Sequence, residues 1–210
     1  MLKWFEYRQE IPNIPNAIDG TLLVITSFNH QPITYDMQSK LIADTFRSIL
    51  MINNGKMSVD LIRNQLMKYN ATQYHILYRP PKNLGYQCSQ RVALSETWPV
   101  VQRFERMIFF SAPDVYPFPP LLTRLSNALR QASRRECTFL ADPWYKNGYV
   151  ADIFILTRPD KFKMEWWKGR GTCTNSNVFE IFLKNMTARH RLSHETLGMM
   201  KSYHLSLIHI

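Results

Sequence analysis

The sequence predicts an α/β protein in two parts: a smaller α+β region over residues 1–112 and a three-layer α/β unit over residues 121–210. Three observations lead there. The chain has 210 residues, 45% of them hydrophobic and only 20% charged, enough apolar material for a sizeable core and too little charge for wholesale disorder. Apolar runs of strand length, such as 22–28 and 107–112, alternate with stretches carrying apolar residues at helical spacing. Finally, Pro113, Pro117, Pro119 and Pro120 fall within residues 113–120, where they bar both helix and central strand and make a stiff connector between the parts.

In the first part, residues 21–28 read as a buried strand after the Asp19-Gly20 turn. A helix is predicted over about 37–52, with Leu41, Ile42, Phe46, Ile49 and Leu50 on one face and a stop at Asn53-Asn54-Gly55. Ser58 is placed to cap a second helix whose Val59, Ile62, Leu66 and Tyr69 form a stripe. Residues 73–79 are strand-like and closed by Pro80-Pro81, and 103–111 predict another strand. These stripes are core-forming patterns, and none carries chemistry.

In the second part, Pro119-Pro120 opens a helix with Leu121, Leu122, Leu125, Ala128 and Leu129 on its apolar face. The Lys146-Asn147-Gly148 turn leads into a strand over 149–156, and the Arg158-Pro159-Asp160 turn into a second strand over 161–167. Gly169 and Gly171 break the chain, a helix is predicted over about 178–203, and residues 205–210 end it as an apolar strand.

Charge is uneven. Of the 26 Lys and Arg, 14 lie in residues 118–210, against 7 of the 16 Asp and Glu, so that segment carries +7 of the formal +10 and is the better partner for a polyanion. The three cysteines, Cys88, Cys137 and Cys173, are far apart and show no zinc-site spacing, which fits reduced packing thiols. No apolar run approaches the roughly 18 residues of a membrane span. The first ten residues lack a secretory core and hold two glutamates, unlike a transit peptide.

One pair of residues could carry chemistry. Asp152 interrupts an apolar strand, and Glu165 sits near the end of the next; a carboxylate so placed needs a partner, water or a metal. On neighbouring strands the two could hold Mg²⁺ and activate water for phosphodiester cleavage. Lys168 would be the polarising lysine, although Trp167 occupies the same-face position two residues after Glu165, so a one-residue bulge is needed to bring Lys168 round. The alternative is that both carboxylates form structural ion pairs. Around them, Lys161, Lys163, Lys168 and Arg170 flank Trp166 and Trp167, and Lys184, Arg189 and Arg191 follow on the next helix. Cations interleaved with aromatic faces are what single-stranded RNA rests on.

The order helix, strand, strand, helix, strand resembles the common core of the PD-(D/E)xK, or restriction-endonuclease-like, nucleases. The segment 118–210 further resembles the RAP domain of organellar RNA-binding proteins. The residues that carry this likeness are Tyr149, Asp152 and Ile153; Met164, Glu165 and Gly169; Lys184, Thr187, Arg189, Leu192, Leu197 and Gly198; and the final run from Leu207 to Ile210. Trp166-Trp167-Lys168 departs from the family's valine-aspartate step, its aspartate and histidine near the turn are missing, and the sequence stops where the family continues into an aromatic-containing tail. The resemblance implies a non-catalytic RNA-binding protein of a mitochondrial ribonucleoprotein. It would be a processing factor or a ribosome subunit that binds rRNA or organellar transcripts beside other proteins, with no cofactor. The alternatives are a Mg²⁺-dependent nuclease using Asp152, Glu165 and Lys168, and a structural subunit of a protein complex.

Overall fold

In the computed structural model the described residues are 3–10, 18–27, 45–53, 58–67, 72–78, 86–110 and 154–161, with short pieces at 127, 130–131, 134, 139–140, 143–144, 149–150, 185, 188–189 and 194–195. They form ten strands and two helices. In chain order these are β1 (Lys3–Arg8), β2 (Ile18–Ser27), β3 (Phe46–Asn53), α1 (Val59–Leu66), β4 (Gln73–Tyr78), α2 (Tyr86–Val101) and β5 (Arg106–Phe110), followed by β6 (Phe139–Leu140), β7 (Pro143–Trp144), β8 (Tyr149–Val150), β9 (Phe154–Thr157) and β10 (His194–Glu195).

Eight strands make one sheet in the order β1-β4-β3-β2-β5-β9-β6-β10, and β7 and β8 form a separate antiparallel hairpin. The centre, β4-β3-β2-β5, is parallel. Antiparallel β1 closes one side against β4, and antiparallel β9 continues the other from β5. Because β9 pairs with β5, the hydrogen-bonded sheet continues from one side of the proline-rich connector to the other. Among the described residues no helix is long and apolar enough to cross a membrane.

The central strands are buried on both faces, as helix-covered parallel strands must be. On one face Leu50, Val24 and Phe109 are in register; on the other, Tyr74, Ile49, Leu23 and Ile108. All are at most 1% exposed. Helix α1 lies on the second face: Ile62 and Leu66 are buried, and the Arg63 guanidinium sits 5.1 Å from the centre of the Tyr7 ring, which stacks on Tyr74. The crossovers from β3 to β4 and from β4 to β5 run in opposite directions along the sheet, so right-handedness of both puts α2 on the other face. Phe104, just past the end of α2, meets His75 edge-on there.

Several expectations hold. The strands at 21–28, 73–79 and 103–111 appear as β2, β4 and β5. Ser58 caps α1, its Oγ accepting a hydrogen bond from the Leu61 amide at 3.1 Å. Others need correction. The helix expected over 37–52 is wrong for its second half, where 46–53 is β3. A strand buried on both faces reads as an unbroken apolar run, and Phe46, Ile49 and Leu50 also satisfy helical spacing; tertiary pairing with β2 and β4 decides between the two. The helix expected over 178–203 is not continuous, because His194 and Glu195 pair in parallel with Phe139 and Leu140. The strand expected from residue 161 does not begin there: Pro159–Lys161 is a turn of 3-10 helix. Strand β1 and helix α2 were not anticipated at all.

Candidate functional site

The parallel strands run the same way, so the sheet has an amino edge and a carboxyl edge with different chemistry. The amino edge is ionic. Arg47 Nε lies 2.9 Å from Asp19 Oδ1, and Arg106 Nη1 lies 3.5 Å from Glu105 Oε2. Gly20 sits between Ile18 and Leu22, where the β2–β3 register shifts, and its φ of +69° brings its carbonyl to the Glu105 amide at 3.1 Å. Only glycine takes that conformation without strain, and a Cβ there would lie 3.1 Å from Glu105 Oε2.

A second polar group fastens β1. Glu6 and His75 are directly opposite in the β1–β4 ladder. Glu6 accepts a hydrogen bond from Gln73 Nε2 at 3.0 Å, and its carboxylate is 3.5 Å from Arg8, 3.8 Å from His75 Nδ1 and 3.9 Å from Arg103. His75 is 1% exposed, and its Nε2 has no hydrogen-bond partner among the described residues. Burial holds its imidazole down at about 4; Glu6 pulls the other way, while Arg103 and Arg8 add to the depression. The ring is therefore neutral at pH 7, and the contact with Glu6, too long for a hydrogen bond, is not an ion pair there. Burial alone would raise the Glu6 carboxyl, but His75, the Gln73 hydrogen bond, Arg103 and Arg8 together keep it below its ordinary value. An open cleft of about 560 Å³ lies beside this group, lined by Arg8, Gln9, Glu10, Thr72 and Gln73.

Among the described residues, β2, β3 and β4 end at the carboxyl edge in uncharged polar residues. Ser27, Asn53 and Tyr78, which end β2, β3 and β4, are in one register row. Next to them the strand order reverses: the chain steps outward from β2 to β3 and β4, then crosses back through α2 to place β5 on the far side of β2. At such a reversal the loops leaving two adjacent strands diverge and open a crevice above the carboxyl ends, where ligands of open α/β sheets bind. The candidate site is the carboxyl edge at this reversal of strand order, between the ends of β2 and β5 and beside the row of Ser27, Asn53 and Tyr78.

Of the residues singled out from sequence, Asp152, Lys163, Glu165, Trp166, Trp167, Lys168, Arg170, Lys184 and Arg191 lie outside the described residues. Lys161 is exposed in the 3-10 turn, its Nζ 3.5 Å from Asp160 Oδ2. Arg189 is helical and exposed. Among the described residues, no group of three or more His, Cys, Asp or Glu could hold a metal ion. Sequence reasoning passed over Ser27, Asn53, Tyr78, Glu6 and His75. The first three had a signal: each is a polar residue closing an apolar strand run.

No model of a known protein family and no curated protein matches the sequence. Solved structures do. The crystal structure of the glycosyltransferase GlyE from Streptococcus pneumoniae TIGR4 matches with a TM-score of 0.51 at 12% identity, over 87% of this chain and 46% of that one. A glycosyltransferase involved in glycosylation of the major capsid of PBCV-1 matches with a TM-score of 0.46 at 14% identity, over 84% of this chain and 80% of that one. The likeness to GlyE is one of fold, and the chain spans less than half of that structure's length.

Proposed function

We propose that the chain is a nucleotide-sugar-binding α/β unit that works in glycosyl transfer. The observation that carries this reading is the reversal of strand order between β2 and β5 at the carboxyl edge of a parallel sheet, a position that takes nucleotides in open α/β folds. The fold likeness to a glycosyltransferase supports the choice of a sugar nucleotide over other nucleotides. In such a reaction an acceptor oxygen attacks the anomeric carbon as the bond from that carbon to the diphosphate breaks. The nucleoside diphosphate leaves with the electron pair, and the acceptor proton passes to a base.

Thermal unfolding of the purified chain with UDP, GDP, UDP-glucose and GDP-mannose tests the reading. One nucleotide family should raise the midpoint with the logarithm of its concentration, by about 2.7 kcal/mol of added stability at 100 times Kd. A chain whose midpoint none of the four moves is not a nucleotide-sugar unit.

A second reading keeps the RNA-binding role for residues 121–210, with the restriction-endonuclease-like arrangement of that segment and a mitochondrial ribonucleoprotein as its setting. What favours it is that three of the five cations described there, Arg134, Lys161 and Arg189, are exposed, in the segment that carries +7. On this reading RNA co-purifies, and affinity falls with salt at a log–log slope of roughly −0.7 per phosphate neutralised. Cleavage of RNA with Mg²⁺ that is lost in Glu165→Gln would instead make the segment a nuclease.

A further inference from the structure

We propose that β1 is an acid-released edge strand: protonation of His75 detaches residues 3–8 from β4 and exposes the outer edge of β4, while the parallel strands stay folded.

The geometry around His75 admits only a neutral ring. The imidazole is 1% exposed, walled by Leu50 in register on β3 and by Phe104 edge-on at 6.4 Å. A protonated ring has two N–H donors, and Nε2 faces no acceptor among the described residues, so the new donor would be buried unpaired beside a buried charge. The charged groups facing His75 come from two elements. Strand β1 brings Glu6 and Arg8, and the turn after α2 brings Arg103; the facing residues of β3 and β4, Leu50 and Gln73, are uncharged. Glu6 favours the imidazolium, but it is 41% exposed and already shared with two guanidiniums, both of which repel it.

The cheapest route to water for a protonated His75 is through β1. Among the described residues β1 pairs only with β4, and four of its six residues are exposed. On the other side of His75, β3 is bound on both edges within the buried centre. Local opening follows the element with the fewest buried contacts. His75 titrates near 4 in the folded chain and near 6.5 when exposed. The opening equilibrium is therefore lowest above pH 6.5 and rises as pH falls toward 4, by about 30-fold between pH 7.5 and 5.

Amide hydrogen exchange on the full chain at pH 7.5, 6 and 5, corrected for intrinsic rates, tests this. Protection should fall about 30-fold by pH 5 at residues 3–8 and at those β4 amides that bond to β1, and stay unchanged in β2, in β5 and at the β4 amides that bond to β3. The fall should disappear in His75→Phe and persist in Glu6→Gln. Protection that is independent of pH, that falls equally across the whole sheet, or whose pH dependence vanishes in Glu6→Gln overturns the proposal. If His75→Phe does not fold, NMR titration of the His75 imidazole in the natural chain decides instead: a folded-state pKa below 5.5 is expected, and one at or above 6.5 overturns it.

Discussion

The two edges of the parallel sheet are built from different side chains and do different work. At the amino edge Asp19 pairs with Arg47 and Glu105 with Arg106, Arg103 reaches the Glu6 carboxylate, and the irregularity at Gly20 ties β2 to the residue before β5. At the carboxyl edge, the strand-ending row of Ser27, Asn53 and Tyr78 carries no charge, and the strand order reverses beside it. Among the described residues, charge at one edge holds the chain together, while the other ends in uncharged polar residues. A cluster of charged residues is therefore not by itself a functional site. The described charges of the amino edge fasten this fold, and the reversal of strand order lies at the other edge.

Substitutions can break that contrast, and the largest expected effect is the least selective. Phe109 is fully buried one residue before the end of β5. Phe109→Ala should cost about 3–5 kcal/mol in chemical denaturation and weaken nucleotide binding and amino-edge protection together.

Acid should act on β1 and its pairing with β4, and leave the reversal between β2 and β5 unchanged. Because folding holds the His75 pKa below its unfolded value, its contribution is fully present above pH 6.5 and is lost as pH falls toward 4. The loss amounts to at most about 3 kcal/mol of local stability, and nucleotide affinity at pH 6 should stay within about twofold of that at pH 7.5.

Gly20→Ala should destabilise by about 1–2 kcal/mol, since alanine is strained at a φ of +69° and its Cβ would crowd Glu105. Again nucleotide affinity should be spared, and a loss of affinity there would tie the two edges together.

Ser58→Ala removes the cap of α1, which begins on the carboxyl side of the sheet, and should cost about 1 kcal/mol in thermal unfolding. The smallest stability effect, within about 0.5 kcal/mol, is expected from Asn53→Ala at the last position of β3. That same variant should lower nucleotide affinity tenfold or more. If Asn53→Ala binds nucleotide normally while Gly20→Ala does not, the roles of the edges are reversed.

The sequence by itself determined the α/β class, strands β2, β4 and β5, and helix α1 with its cap. In each case local signals agree: apolar runs bounded by Gly, Pro or Asn, or an apolar stripe preceded by a serine. It did not determine β3, because Phe46, Ile49 and Leu50 fit a helical face as well as a buried strand, and only the neighbours β2 and β4 choose between them. Nor did it reveal β1, whose half-exposed aromatic and charged residues become a strand by pairing with β4, 67 positions away at the contact of Glu6 with Gln73. The candidate site belongs to the same class. Along the chain Ser27, Asn53 and Tyr78 are marked only as polar ends of apolar runs; what sets them side by side is parallel register, and what reverses the strand order beside them is the crossing of α2 to the far side of β2. Register and strand order arise from long-range hydrogen bonding and the handedness of crossovers, and these act between segments whose local patterns carry no mark of one another.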